Sequence, residues 1–348
     1  MHALKHLKRV VTDWFLCGML IATLLAYFFP AFGSAGGGMH SEYVINIGVF
    51  LVFFLHGVNL SSEQIVRGLK NWKLHIMVQG FTFVVFPLIW LACSRLFGSH
   101  LPALLMLGFL YLCALPSTIS SSVALTGSAN GNVPAAILNA SMSSVFGIFM
   151  TPWLVSMVVG SGAGGIDLGA TLLDLCAMLL LPLVLGQLVR PFFGKFFARH
   201  KRYTNVVDKT VILLLVYAAF CGSMASGMWQ TQGNTVILSA VVGSALLLAI
   251  ILFLTTRTAR ALRFSHADEV AAVFCASKKS LAAGAPMAAL IFGNNPGLGL
   301  ILLPIMIYHP MQLIVCSIMA ESYATRHRLL KAQESAPAQP MLSPSNNA

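Results

Sequence analysis

The sequence predicts an all-α polytopic membrane protein: ten transmembrane helices in two inverted five-helix repeats, with crossing helices 4 and 9 broken. Three observations predict it. Of the 348 residues, 57% are hydrophobic and only 9% charged, with mean hydropathy +0.83, whereas soluble domains carry about 25% charge. The apolar residues form ten runs of membrane-spanning length, and nearly all Lys and Arg lie on one side of them. Two of the runs are interrupted by proline beside polar or charged residues. The 29 glycines, 15 prolines, 23 phenylalanines and 16 methionines fit close-packed, locally broken helices better than the alternating strands of an outer-membrane barrel.

At 1.5 Å per residue a span needs about 20 apolar residues. The runs are 14–31, 43–60, 74–93, 101–127, 133–159, 168–190, 207–226, 235–256, 268–292 and 297–320. The first follows MHALKHLKRV, an order shared with signal peptides. Its apolar stretch is longer than theirs and no AxA site precedes the glycines, so it reads as a retained helix. With the N-terminus inside, one face receives Lys5, Lys8 and Arg9, then Arg67, Lys70 and Lys73, then the six basic residues of 190–209. Arg257, Arg260 and Arg263 follow, then Arg326, Arg328 and Lys331. That is all but three of the 21 basic residues. Arg95 lies opposite, and Lys278 and Lys279 remain in the membrane. One span fewer or more after the third would scatter these clusters. The expectation is a multi-pass protein of the cell inner (plasma) membrane with both termini cytoplasmic.

The domain reading is 1–190 as an N-terminal five-helix repeat and 191–206 as a basic cytoplasmic connector able to touch lipid headgroups. Residues 207–330 complete a second repeat whose first helix is 168–190, and 331–348 form a disordered tail. An odd number of spans per half makes such repeats inverted, as in many secondary transporters. Gly131-Asn132-Val133-Pro134 and Gly293-Asn294-Asn295-Pro296 echo each other, 162 residues apart, at corresponding junctions. The same offset relates Ser117 to Lys279.

The net charge of +11 is dispersed in short clusters with no basic face, so no nucleic acid is expected as partner. The cysteines, without CxxC spacing, read as small buried hydrophobes and give no metal site. No nucleophile-base set, HExxH, Walker loop or dinucleotide fingerprint occurs, so neither enzyme chemistry nor a cofactor is expected.

The polar groups within the runs carry the functional signal. In 113-CALPSTISSSVALTGSANGN-132, Pro116 breaks the helix ahead of Thr118, Ser120, Ser121, Ser122 and Thr126. Broken helices at membrane depth must face protein or a water-filled cavity, where freed ends and hydroxyls become ligands for an ion or polar solute. In the ninth run Glu269 comes first, Lys278, Lys279 and Ser280 are central, and Pro286 reads as the break. Lys278 and Lys279 lie about 14 and 15 Å beyond Glu269 if helical, too deep to snorkel. Being about 100° apart on a helix, only one faces a site directly, leaving the other to pair with a carboxylate or face a vestibule. Asn132, Pro134, Asn294 and Pro296 mark the junctions. Asn139, His56 and His309 are supporting candidates. Hydroxyls in spans also serve as plain packing groups.

The order PSTISSSVALTGSANGNVPAAILNASMSS, then FCASKKSLAAGAPM and LPIMIYHPMQL, resembles the bile acid:sodium symporter superfamily, in particular its SBF-like branch. The resemblance, over residues 8–330, implies two inverted repeats of five helices, a core domain with crossed, unwound helices 4 and 9, and a panel domain. It implies a sodium-binding polar pair at Ser121 and Ser122, with Asn139 nearby. In helix 9 it places the family's glutamate on Cys275 and its glutamine on Lys279. With a carboxylate absent and an ammonium in place of an amide, Na+ at that site is doubtful. The ammonium can take the electrostatic role of a bound cation. The expected function is secondary active transport of a small organic anion, recognised through Lys279 and the hydroxyls or coupled to lysine deprotonation. The alternatives are a non-transporting regulator or scaffold affecting ion homeostasis, then a channel, then a membrane enzyme. Membrane lipids are the expected partners, and oligomeric state is unspecified.

Overall fold

The computed structural model describes residues 13–34, 36–59, 71–159, 168–293 and 295–334. All its regular structure is helical. Asp13 starts α1, Trp14–Phe28, its carboxylate accepting from the Phe15 and Leu16 amides at 2.9 and 3.4 Å, which supplies partners to otherwise orphaned helix donors. Then come α2, Ser41–Asn59, and α3, Trp72–Phe97. The fourth apolar run is two helices, α4 Ala103–Ala114 and α5 Ser120–Ser128. After α6, Val133–Val159, α7, Leu168–Arg199, α8, Lys201–Ala225, and α9, Met228–Ala261, the ninth run is again two helices. These are α10 His266–Ser277 and α11 Leu281–Phe292, followed by α12 Leu298–Glu334.

Among the described residues, seven helices are long and apolar enough to cross a membrane, and Trp14–Phe28 and Ala103–Ala114 are shorter apolar helices. The protein is therefore an all-α polytopic membrane protein with broken and bent helices.

One local expectation is corrected. The ninth run breaks at 278–280, not at Pro286, which lies inside α11. Pro286, the sixth residue of α11, forfeits one helix hydrogen bond without ending the helix, whereas the true break is held by the tertiary bonds described below. The basic stretch 190–209 is almost wholly helical: α7 runs to Arg199 and α8 starts at Lys201, with His200 between. Of the tail, 331–334 belong to α12. Residues 335–348, the cluster Lys5, Lys8 and Arg9, and Arg67, Lys70 and Asn294 lie outside the described residues.

Packing places α2 against α7, α1 against α8, α4 against α12, and α10 against α9. At the α2–α7 contact a Cβ on Gly57 would fall 2.2 Å from the Leu183 carbonyl oxygen, and one on Gly186 2.2 Å from that of Phe54. Only glycine lets the two backbones touch there. At the first break a Cβ on Gly147 would fall 2.7 Å from the Pro116 ring, so this glycine of α6 makes room for the proline.

Candidate functional site

The two breaks lie against each other. The Ser280 amide donates to the Pro116 carbonyl at 2.9 Å, and the Ser117 hydroxyl donates to the Cys275 carbonyl at 2.6 Å. A broken helix strands the carbonyls of its last turn, and burial requires each to find a donor. At the end of α4 the Ala114 carbonyl accepts from Thr151 Oγ1 at 2.8 Å, while the Ser117 amide, diverted from helix bonding, donates to Ser143 Oγ at 2.9 Å. At the end of α10 the Phe274 carbonyl accepts from Ser122 Oγ at 3.1 Å and the Ser277 carbonyl from the Tyr308 hydroxyl at 2.8 Å. The Tyr111 hydroxyl caps the Gly284 carbonyl in α11.

Lys279 takes what remains. Its Nζ donates to the carbonyls of Cys113 and Leu115, both at 2.7 Å, and of Thr82 at 2.8 Å. The Thr82 carbonyl is free for a local reason. Residues Phe81–Val85 of α3 form a π turn in which the Phe86 amide bonds the Phe81 carbonyl. In that pattern the partner of the Thr82 carbonyl is residue 87, a proline with no N–H. The ammonium also lies 4.0 Å from the Phe86 ring centroid, a cation–π contact. Gln312 clamps the lysine backbone, accepting from its amide and donating to its carbonyl, both at 2.8 Å, and meets His309 Nδ1 at 3.0 Å.

Lys278 is the opposite case. It is fully buried, and its Nζ has no hydrogen-bond partner among the described residues. Its surroundings are the Phe274 ring, 5.6 Å away, the thiols of Cys275 and Cys316, and His309. His309 packs edge-on against Phe15 of α1 at 6.2 Å. No carboxylate among the described residues is ion-paired with Lys278. Glu269 is instead bound at the start of α10 by Arg260 at 3.0 Å, Arg326 at 3.6 Å and the Tyr323 hydroxyl at 3.1 Å.

Of the hydroxyls, Thr118 Oγ1 meets Ser121 Oγ at 2.8 Å and Ser122 Oγ at 3.1 Å, so these three form one cluster at the start of α5. Thr126 is buried, its hydroxyl unpartnered among the described residues. Ser280 caps α11 by accepting from the Ala283 amide at 3.2 Å. Asn139 is buried, 3.0 Å from His75 Nδ1, with Gln79 donating to its backbone carbonyl at 3.0 Å. Asn132 caps α6 just before Pro134 and donates to Asp268 at 2.8 Å. Pro296, in the turn before α12, accepts from Ser223 at 2.8 Å. His56 does not join the two breaks: it sits in the last turn of α2, against Phe53.

A cavity of about 350 Å³ opens elsewhere, between Ser41 and Ile45 of α2, Ala218 and Gly222 of α8, and Asn295 and Pro296 before α12. Its size suits a small solute.

Comparison with known proteins places the chain in a family. The profile of the SBF-like CPA transporter family matches residues 13–325. The chain belongs to that family. An "Uncharacterized protein PA2026" of Pseudomonas aeruginosa is 42% identical over 319 residues, covering 91% of this chain and 95% of that protein. The "Putative symporter YfeH" of Escherichia coli is 41% identical over 327 residues, covering 93% and 96%. The "Sodium/bile acid cotransporter 7" of Danio rerio is 33% identical over 324 residues, covering 92% and 96%. The SBF-like chain is thus a membrane transport protein rather than an enzyme, and among the described residues no group of three or more His, Cys, Asp or Glu could hold a metal ion. Where the two breaks meet, the structure brings in residues that motif reading passed over: Gln312, Ser143, Thr151, Tyr111 and the Thr82 carbonyl. For the side chains the only signal was polarity inside an apolar run, and for Thr82 it was Pro87.

Proposed function

We propose that this chain is a secondary active transporter of a small organic anion, working by alternating access in the cell inner membrane with both termini cytoplasmic. The orientation rests on the Lys/Arg asymmetry. The architecture proposed is ten transmembrane helices in two inverted repeats of five. Shifting the first half by the 162 residues that separate Gly131 from Gly293 supports it. Ala103–Ala114 then falls on α10 and Ser120–Ser128 on α11, each to within a residue or two at the start. Ser117 becomes equivalent to Lys279 and Cys113 to Cys275. The contacts are reciprocal: Ser117 donates to the Cys275 carbonyl and Lys279 to the Cys113 carbonyl. On this offset the repeat boundary lies between α6 and α7, so the basic stretch after 190 falls within the second repeat.

The observation that carries the anion reading is the bare, buried ammonium of Lys278. An unpaired buried charge costs several kcal/mol, and the chain provides no counterion among its described residues. An anionic solute would. Lys279 has all three protons engaged, so Lys278 is the lysine with donors to offer, and the hydroxyls of Thr118, Ser121 and Ser122 lie on the facing break. Relatives named for bile acid and sodium do not fix either for this chain.

The test is uptake into liposomes containing only this protein, paired with a thermal-stability screen against small carboxylates, sulfate and phosphate. A transported anion stabilises the folded state and shows saturable flux, and Lys278→Met lowers that flux at least about tenfold, the value of one charge-assisted hydrogen bond. Absence of both stabilisation and flux for every anion would leave the regulatory reading in its place.

A further inference from the structure

We propose that the carbonyl cluster around Lys279 is a monovalent-cation site that the chain fills with its own ammonium, so that the crossing holds a fixed cation and binds no alkali ion there. Three backbone oxygens, one from α3 and two from the end of α4, converge on one point, each 2.7 or 2.8 Å from Nζ. Each lacks an alternative donor for a reason written in the chain: the π turn ahead of Pro87 for Thr82, and the break at Pro116 for Cys113 and Leu115. The Phe86 ring supplies a further electron-rich wall at 4.0 Å. Convergent backbone carbonyls are the ligand set with which membrane proteins replace the hydration shell of a monovalent cation. Two of the three, those of Cys113 and Leu115, lie at the C-terminal end of α4, where the helix dipole favours positive charge.

The ammonium is fixed rather than exchangeable. Gln312 holds both the amide and the carbonyl of Lys279, and the site is fully buried. No carboxylate among the described residues pairs with it, so the positive charge is offset by dipoles alone, as it would be for a bound ion. The proposal concerns the cation and stands apart from the identity of the solute.

The decisive measurement is the apparent Tm of wild-type, Lys279→Ala, Lys279→Gln and Lys279→Met protein in sodium, potassium and choline chloride at equal ionic strength. Wild type is expected to be indifferent to the cation. Lys279→Ala opens the cluster, loses stability in choline, and recovers in sodium or potassium, with Tm rising about 2 °C per tenfold increase in the ion once the site saturates. Lys279→Met fills the space with an apolar chain and loses stability without recovery. If Lys279→Ala folds only when prepared in sodium or potassium, the result has the same meaning. Lys279→Gln removes the charge while keeping a donor amide, and is expected to respond to the alkali ions in the same direction as Lys279→Ala. A sodium-dependent Tm shift in wild type that persists in Lys279→Met would overturn the proposal, because the ion would then bind elsewhere. So would Lys279→Ala and Lys279→Gln proteins equally stable, or equally unable to fold, in all three salts. Absence of anion flux and anion stabilisation in wild type, with the cation responses as expected, would count against the anion reading alone.

Discussion

At the first break a hydroxyl, Ser117, bonds the carbonyl of Cys275; at the second an ammonium, Lys279, bonds the carbonyl of Cys113 and two more. The positions correspond under the internal offset, yet one side chain has a single proton to give and the other has three. The difference has a local cause. Around α10 the stranded carbonyls are shared among Ser117, Ser122 and Tyr308. Around α4, Thr151 takes Ala114, and two carbonyls remain beside a third freed by the π turn of α3. Three acceptors at one point call for a cation, where a set of hydroxyls sufficed on the other side.

The largest expected effect breaks that side. Lys279→Met leaves three buried carbonyls without donors, at roughly 1–3 kcal/mol each. The loss of folded-state stability is therefore expected to be at least about 3 kcal/mol, read as a fall in apparent Tm of the purified protein. Ser117→Ala tests the lighter side by the same measurement. One buried carbonyl loses its donor, so about 1–2 kcal/mol is expected. Equal losses from the two substitutions would erase the contrast between the breaks.

Gln312→Leu falls between these in its expected effect. It removes an acceptor from the Lys279 amide and a donor from its carbonyl, for about 2–3 kcal/mol, while leaving the ammonium in place. Its sharper consequence is a looser Lys279. If Gln312→Leu matched wild type in Tm and flux, the clamp would be incidental to holding the cation.

How much of this was legible depends on whether a residue's role is local. The first break was readable because Pro116 forbids a helix bond wherever it sits. The second was misplaced to Pro286 because an interior proline weakens a helix without having to end it, while the true break at 278–280 is set by Gln312, Tyr308 and the carbonyls of another helix. Burial of the lysine pair followed from charge placement along the chain. The division of labour between Lys278 and Lys279 did not, since it depends on which direction each side chain leaves the break. Charge pattern marked 190–209 as basic but says nothing of backbone conformation, and the stretch is almost wholly helical. The free Thr82 carbonyl needed the π turn, of which Pro87 is only a hint.

The smallest expected effect on stability is the most informative about function. Lys278 and Lys279 are adjacent, equally buried and identical in chemistry, so hydropathy treats them alike. Their partners do not: Lys279 has three and Lys278 has none among the described residues. Replacing an unpaired buried charge with an apolar chain of similar length is commonly neutral or stabilising. Lys278→Met is therefore expected to match wild type within about 0.5 kcal/mol or exceed it, while losing the anion-dependent rise in Tm. A structural ammonium with an unseen partner would instead make Lys278→Met as damaging as Lys279→Met. A residue kept at a cost to the fold, and whose removal relieves that cost while abolishing anion response, is one retained for the solute.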